Sequence, residues 1–388
     1  MRILWICGLP DIVRREGSDR VLSPTPTAAW SWVLGHLPPE KDCELHILCP
    51  VGGLYAPRVD FEFQGAYWHC FRRHRFEMPL FWIRFYFQIR KFVKEVHPDV
   101  VHGWGGETGC GWLATLFTKH AIVSVQGLLR LFKTLLDDAG CRSQWSFSSM
   151  IRMLIEKLTY RRAAACLVES EASRQGLMEY YGQDSTLVHH PLRKEFIEFD
   201  LNRRVTLPEK PVKIVFVGTL SERKGALDAL NAFLRVAEKD SEFVMIGEGP
   251  LRGKLESSII ENGLVGRVRL LGAINVVDVV SEFTDAQFFL LPSYGDTGPT
   301  ALKEALSCGL YPICYDNSGP RDLISHYGCG RLCLTGDIDC LANELNKCIT
   351  DMKECVSEGV AVANRVRSEL SSATVWNELR AIYKKVAR

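Results

Sequence analysis

The chain has 388 residues, 47% hydrophobic and 24% charged, and its 47 Lys+Arg against 46 Asp+Glu leave a net charge of +1. These are ordinary globular proportions, so wholesale disorder is excluded. Near-neutrality likewise excludes a protein built to coat nucleic acid. At roughly 150 residues per domain, the length implies two domains. The 14 cysteines are scattered, and the close pair Cys329 and Cys333 has poor spacing for zinc. A disulfide scaffold does not suit a chain of this length. We read the cysteines as thiols used as small core residues in a reducing cytoplasm. Residues 1–8 hold one Arg and a short apolar run, followed by Asp11, Arg14 and Arg15. That is too short for a signal peptide, and no run approaches the roughly 20 apolar residues of a membrane span. The expected location is cytoplasmic, at most peripheral to the inner face of the cytoplasmic membrane.

In chain order, short apolar β-rich runs fall at 3–7, 45–49, 100–102, 122–125, 166–168, 214–217, 243–246, 288–291 and 311–315. Helical patterns fall at 80–96, 150–162, 227–238, 300–307 and 338–349. Apolar runs alternating with helices predict parallel strands covered on both faces, the doubly wound α/β class. The alternation pauses at 200–211, which is polar and carries Pro208 and Pro211. The run that follows, Lys213 to Gly218, reads as the first strand of a second sheet, as Arg2 to Gly8 does for the first. Two Rossmann-like domains are expected, 1–205 and 206–370, facing each other across a cleft. A final helix at 371–388, with Trp376 and Tyr383, has no strand after it.

In such sheets ligands bind where strands end, so the chemistry belongs in the loops there. After 214–217 come Gly218, Thr219, Arg223, Lys224 and Gly225. Lys224 can meet a phosphate as a point charge and Arg223 bidentately; the plain alternative is a solvated basic pair. After 243–246 come Gly247, Glu248, Gly249 and Pro250, but Arg252 stands where a dinucleotide fingerprint needs its third glycine. Gly103, Gly105 and Thr108 fail the same test, so nicotinamide or flavin binding is not supported. A tight turn alone explains these glycines. After 288–291, Asp296 and Thr297 lead through Gly298, Pro299 and Thr300 into a helix carrying Glu304. The helix start can bind phosphate. Two carboxylates eight positions apart can then hold hydroxyls on either side of a diphosphate. The plain alternative is a capping Asp and a surface Glu.

Taken together, Gly218, Lys224, Gly225, the 247–250 turn, Pro292, Ser293, Asp296, Glu304, Ala305, Cys308 and Gly309 resemble family four of the retaining GT-B glycosyltransferases (group 1) in order and spacing. The resemblance covers most of 210–325. It continues more weakly through Asp99–His102 and 155–170. It implies a nucleotide-sugar donor, UDP- or GDP-linked, bound mostly by the second domain, with the acceptor on the first and the last helix crossing back to it. By the resemblance, Lys224 binds the diphosphate and Glu304 the ribose. Asp296 stands where the family usually has a glutamate holding sugar hydroxyls. Thr219 replaces a common arginine, which Arg223 can substitute. Gln126 stands where His is frequent, and Gln cannot titrate. His102 is a candidate at a strand end, as are Gly8, Leu9 and Gly105 in neighbouring loops.

The implied activity is transfer of a hexose-type sugar, with retention, to a glycan or lipid-linked glycan in cell-surface polysaccharide synthesis. Lys224, Arg223 and the helix start would stabilise the departing diphosphate, so neither metal nor cofactor is expected. The segment 71–94 holds seven Lys/Arg (Arg72, Arg73, Arg75, Arg84, Arg90, Lys91, Lys94) against Glu77, with eight aromatics interleaved. Such a pattern suits an anionic membrane surface; a helix with aromatic core and basic solvent face is the alternative. His189 and His190 read as an ordinary pair between the domains rather than a metal site. Two other functions share these features: a GT-B nucleotide-sugar epimerase, and a non-catalytic nucleotide-sugar-binding scaffold.

Overall fold

The computed structural model describes residues 1–8, 43–52, 54, 56–73, 81–106, 109–138, 147–205, 211–236, 238 and 240–387. Leu9 and residues 74–80, which include Arg75 and Glu77, lie outside them. The chain divides into two compact units. One comprises Met1–Phe132, Gln144–Pro191 and Ser372–Arg388; the other is centred on Leu192–Ser371.

The first unit is built on a sheet of order β3-β4-β2-β1-β5-β6-β7-β8. Its strands are β1 (Arg2–Ile6), β2 (Glu44–Gly52), β3 (Arg58–Phe63), β4 (Ala66–Arg73), β5 (Val100–Trp104), β6 (Ala121–Ser124), β7 (Ala165–Val168) and β8 (Thr186–Leu187). All neighbours are parallel except β3 and β4. β5 and β6 are buried along their whole length, as expected of strands covered on both faces. Successive side chains alternate between the faces. Leu4, Ile6 and Val101 pack with Phe85, Ile89 and Phe92 of the Phe81–Val96 helix. Ile3, Trp5 and Val100 pack on the other side with Val375, Trp376, Leu379 and Tyr383 of the final helix, Ser372–Val386.

The β3–β4 hairpin was not expected from the sequence. β3 is half exposed throughout and alternates polar with apolar residues. Gln64 and Gly65, with φ of 50° and 73°, form the two-residue turn, as a type I′ connection requires. The basic, aromatic segment is therefore divided. Phe71 lies near the end of β4 (Ala66–Arg73), and Phe71, Phe85 and Phe92 are core. Arg84, Phe87, Arg90, Lys91 and Lys94 form the exposed face of the Phe81–Val96 helix. No helix among the described residues is long and apolar enough to cross a membrane.

The second sheet has order β11-β10-β9-β12-β13-β14 and is parallel throughout. Its strands are β9 (Val212–Val217), β10 (Ser241–Ile246), β11 (Val268–Gly272), β12 (Phe288–Leu291), β13 (Tyr311–Tyr315) and β14 (Arg331–Cys333). Its beginning differs from the sequence expectation of 206. By packing, the division falls between Pro191 and Leu192. Leu192, Phe196 and Phe199 belong to the second core, and Arg204 is buried with Nε donating 2.7 Å to Cys308 O. One cysteine expectation is also corrected. Cys333 and Cys340, seven residues apart, form a disulfide between β14 and the Ile338–Thr350 helix. The other described cysteines are free, and all but Cys43 are buried.

Candidate active site

In the second sheet β9 lies between β10 and β12, and the strand order runs outward from it in both directions. The loops leaving β9 and β12 therefore flank the topological switch point, the place where open α/β sheets bind ligands. The β9 loop carries Lys224 and the β12 loop carries Asp296, and Lys224 Nζ is ion-paired with Asp296 Oδ2. Their side chains are only 17% and 12% exposed, so the pair is stronger than an exposed one.

Backbone contacts lock the two loops together. Tyr294 N donates 2.9 Å to Arg223 O, and Arg223 Nη1 donates 2.9 Å to Gly295 O. Arg223 thus braces the Asp296 loop. Gly225 has φ +64°, and a Cβ there would lie 1.8 Å from Pro292 O. Gly247, at φ +138°, would meet Gly218 O at 1.9 Å. These glycines permit close approach of neighbouring loops. Gly249 belongs to the same turn, with Leu251 N donating 3.0 Å to Leu220 O. Pro250 and Thr219 are exposed, and Glu248 pairs with Arg252 at 2.8 Å. The helix after Pro250 is Arg252–Glu261.

The β12 loop enters the Thr300–Ser307 helix through Pro299, whose cap has no side-chain hydrogen bond. Thr297 and Pro299 are buried, and Gly298 and Thr300 half-buried. At the other end of this helix, Arg204 reaches Cys308 O and Arg367 Nε donates 2.8 Å to Ser307 O. Cations there complement the helix dipole. Burial lowers Arg204 to about 10, which still leaves it charged at neutral pH. A second helix steadies the loop, as Gly319 N donates 2.8 Å to Asp296 O and Asn317 Nδ2 donates to Ser293 O.

Glu304 is not a surface residue; its side chain is 2% exposed and bonded to Arg193 at 2.7 Å. Burial pushes its carboxyl above the usual range, against the opposing Arg193 charge. Arg193 had no signal in the sequence, because it lies 111 residues from Glu304. Tyr294 and Tyr315 were missed for the same reason; their hydroxyls donate 2.7 and 2.8 Å to Asp228 Oδ2. The Asp-x-Asp spacing of Asp337 and Asp339 is structural. Asp337 caps the Ile338–Thr350 helix by accepting 2.8 Å from Cys340 N, and Asp339 pairs with Arg235 at 3.0 Å.

The strand ends of the first unit look different. His102 is fully buried. Its Nδ1 lies 2.7 Å from Tyr383 Oη and its Nε2 2.8 Å from Ser124 Oγ. Trp104 stacks on it at 4.3 Å. Burial holds the imidazole down to about 3, so it is neutral at physiological pH. Both ring nitrogens of this acceptor-side candidate are engaged inside the core of the first unit. Gly105 is buried beside it, and its N donates 2.9 Å to Ser124 O. Gly8 and Gln126 are half-buried. His190 is paired with Glu169 at 2.8 Å. Trp104, Ser124, Glu169, His190, Val375 and Leu379 line a cavity of about 10 Å³, room for about one water. Among the described residues no group of His, Cys, Asp and Glu is placed to hold a metal ion.

Two family models match the chain. "Glycosyl transferases group 1" spans 198–359, and "Glycosyl transferase 4-like domain" spans 39–191. The amylovoran biosynthesis glycosyltransferase AmsK of Erwinia amylovora is 29% identical over 198 residues, 49% of this chain and 48% of AmsK. A Campylobacter jejuni N-acetylgalactosamine-N,N'-diacetylbacillosaminyl-diphospho-undecaprenol 4-alpha-N-acetylgalactosaminyltransferase is 26% identical over 182 residues, 46% of this chain and 48% of that enzyme. The chain thus spans about half the length of these curated relatives. Anabaena HepE, solved with UDP-glucose, superposes with a TM-score of 0.72 at 15% identity, covering 99% of this chain and 100% of HepE. With both models placed and two Rossmann-like sheets behind them, the chain belongs to the group 1 glycosyltransferases of the GT-B fold.

Proposed function

We propose that this protein transfers a hexose-type sugar, with retention, from a UDP- or GDP-linked donor to a glycan or lipid-linked glycan acceptor in polysaccharide synthesis. The observation that carries this reading is the Lys224–Asp296 pair at the switch point of the second sheet. A donor diphosphate takes Asp296's place beside Lys224, and the released Asp296 carboxylate accepts hydroxyls of the sugar. The start of the Thr300–Ser307 helix and Glu304 serve the phosphate and the ribose. The acceptor hydroxyl attacks the anomeric carbon from the leaving-group side. The glycosidic C–O bond to phosphate breaks with its electron pair, and the departing phosphate takes the hydroxyl proton. Lys224 and the helix dipole stabilise that developing charge, so the reading calls on neither a metal nor a cofactor.

The first unit holds the acceptor in this reading. Gly8, Leu9, Gly105 and Gln126 remain candidates there, while His102 serves as a buried support. A lipid-linked acceptor is supported by the diphospho-undecaprenol in the Campylobacter relative's name. It is also supported by the exposed basic face of the Phe81–Val96 helix, where Phe87 is 63% exposed among Arg84, Arg90, Lys91 and Lys94. Each such cation near an anionic surface is worth about 1 kcal/mol. Flotation with anionic liposomes at physiological salt tests this part; protein left in the soluble fraction contradicts it.

The test of function is a screen of UDP- and GDP-sugars for thermal stabilisation, followed by product analysis with the stabilising donor. Binding raises apparent stability by mass action. An extended glycan supports transfer. A free epimer, or binding without turnover, replaces it with an epimerase or a scaffold.

A further inference from the structure

Glu304 presents a problem that its neighbours solve. A carboxylate 2% exposed does not remain an anion without a partner. Arg193 supplies one, and its Nε and Nη2 lie 2.8 and 2.7 Å from the same oxygen, Oε1. Arg193 is itself fixed, with its guanidinium 5.0 Å from the ring centre of Phe196. Phe196 is fully buried and packs on Phe283 at 5.8 Å. The pair is therefore anchored to the core of the second unit.

We propose that Arg193 is a positioning residue that holds the buried Glu304 carboxylate oriented and ionised, so that it can accept the ribose hydroxyls of a bound nucleoside diphosphate. The inference rests on the reading of Glu304 as the ribose ligand. Its chemistry is that of acceptor capacity. An ionised carboxylate only accepts hydrogen bonds, whereas a protonated one has lost an acceptor site to its own proton. Burial favours the protonated form, and Arg193 is the largest influence against it. The other charges acting on Glu304 are Glu195, which opposes ionisation, and Lys303, which favours it. Removing Arg193 therefore moves Glu304 further upward. Ribose recognition should then fail first at low pH and return as pH rises.

The experiment uses the full chain and two probes: UDP or GDP, whichever binds more tightly, and its 2′,3′-dideoxy form. Calorimetry from about pH 6 to about pH 8.5 compares native protein with Arg193→Gln, Arg193→Lys and Glu304→Gln. Native protein should favour the hydroxylated nucleotide by about tenfold or more. Arg193→Gln should lose most of that preference at the low end and regain it toward the high end. Each unit of upward shift costs about tenfold in ionised Glu304 below its pKa. Arg193→Lys, which keeps a cation, should retain most of the preference at neutral pH, and it carries the pH test if Arg193→Gln does not fold. A loss equal at every pH, or equal for both nucleotides, would overturn the proposal and leave Arg193 a structural residue. A different result sinks the ribose reading itself: native protein without the preference, or Glu304→Gln with the preference intact. Failure of native protein to bind either nucleotide overturns both.

Discussion

The two units share a plan and differ at the place where it matters. In each sheet the first strand, β1 in one and β9 in the other, lies in the interior with strands added on both sides of it. In the second unit the switch-point loops carry the ion pair of Lys224 with Asp296, and the Thr300–Ser307 helix that follows carries Glu304 paired with Arg193. In the first unit the equivalent strand ends are filled by neutral aromatic and hydrogen-bonded side chains: Trp5, His102, Trp104 and Tyr383. The same topology thus yields a charged mouth in one case and a packed support in the other. The site follows from which side chains the strand ends carry, not from the fold alone.

The largest effect should come from closing the space the second unit keeps open. Gly225→Ala puts a Cβ where Pro292 O lies 1.8 Å away, at φ +64°. We expect a loss of about 4 kcal/mol in urea unfolding of the second unit; a shift under about 1 kcal/mol would mean that the loops are not locked as described. Next, Lys224→Ala should lower kcat by about 10²–10³ with the stabilising donor, the usual cost of removing one charge-stabilising donor. Its melting temperature should also fall, because Asp296 is left unpaired in a largely buried site.

The first unit should respond to acid instead. The folded-state pKa of His102 is depressed from 6.5 to about 3 by burial. An unfolded His binds its proton first as pH falls, so this contribution is complete above about 6.5 and declines from there toward about 3. Melting of the first unit should weaken through that window, and His102→Gln should flatten the slope while leaving nucleotide binding in place. An unchanged slope would show that other groups dominate. The smallest effect belongs to Tyr383→Phe. It removes the hydroxyl that Trp5 Nε1 meets at 3.0 Å and His102 at 2.7 Å, which should cost about 1–2 kcal/mol.

Local signals in the sequence reach as far as local causes do. Runs such as 288–291 and 311–315 read as strands because buried parallel strands are continuously apolar. Lys224 and Asp296 were legible because each sits just beyond such a run. Their pairing was not, since they lie 72 residues apart. Arg193 offered no pattern, being one cation in a connecting segment. The β3–β4 hairpin was hidden by its half-exposed alternation, which carries less apolar signal than a buried strand. The boundary at Pro191–Leu192 was hidden because the polar stretch at 200–211 marks a gap in pattern, while Phe196 and Phe199 before it already pack into the second core. The Cys333–Cys340 disulfide depends on a strand and a helix meeting, which spacing alone does not disclose.

The most direct test of the central claim is calorimetric titration of UDP and GDP into native protein, Lys224→Ala and Tyr383→Phe at one pH and salt. The account predicts that one nucleotide binds native protein and Tyr383→Phe alike, and that Lys224→Ala weakens it by about tenfold or more. Equal binding to Lys224→Ala, or a comparable loss in Tyr383→Phe, would contradict the assignment of the donor to the second unit's switch point.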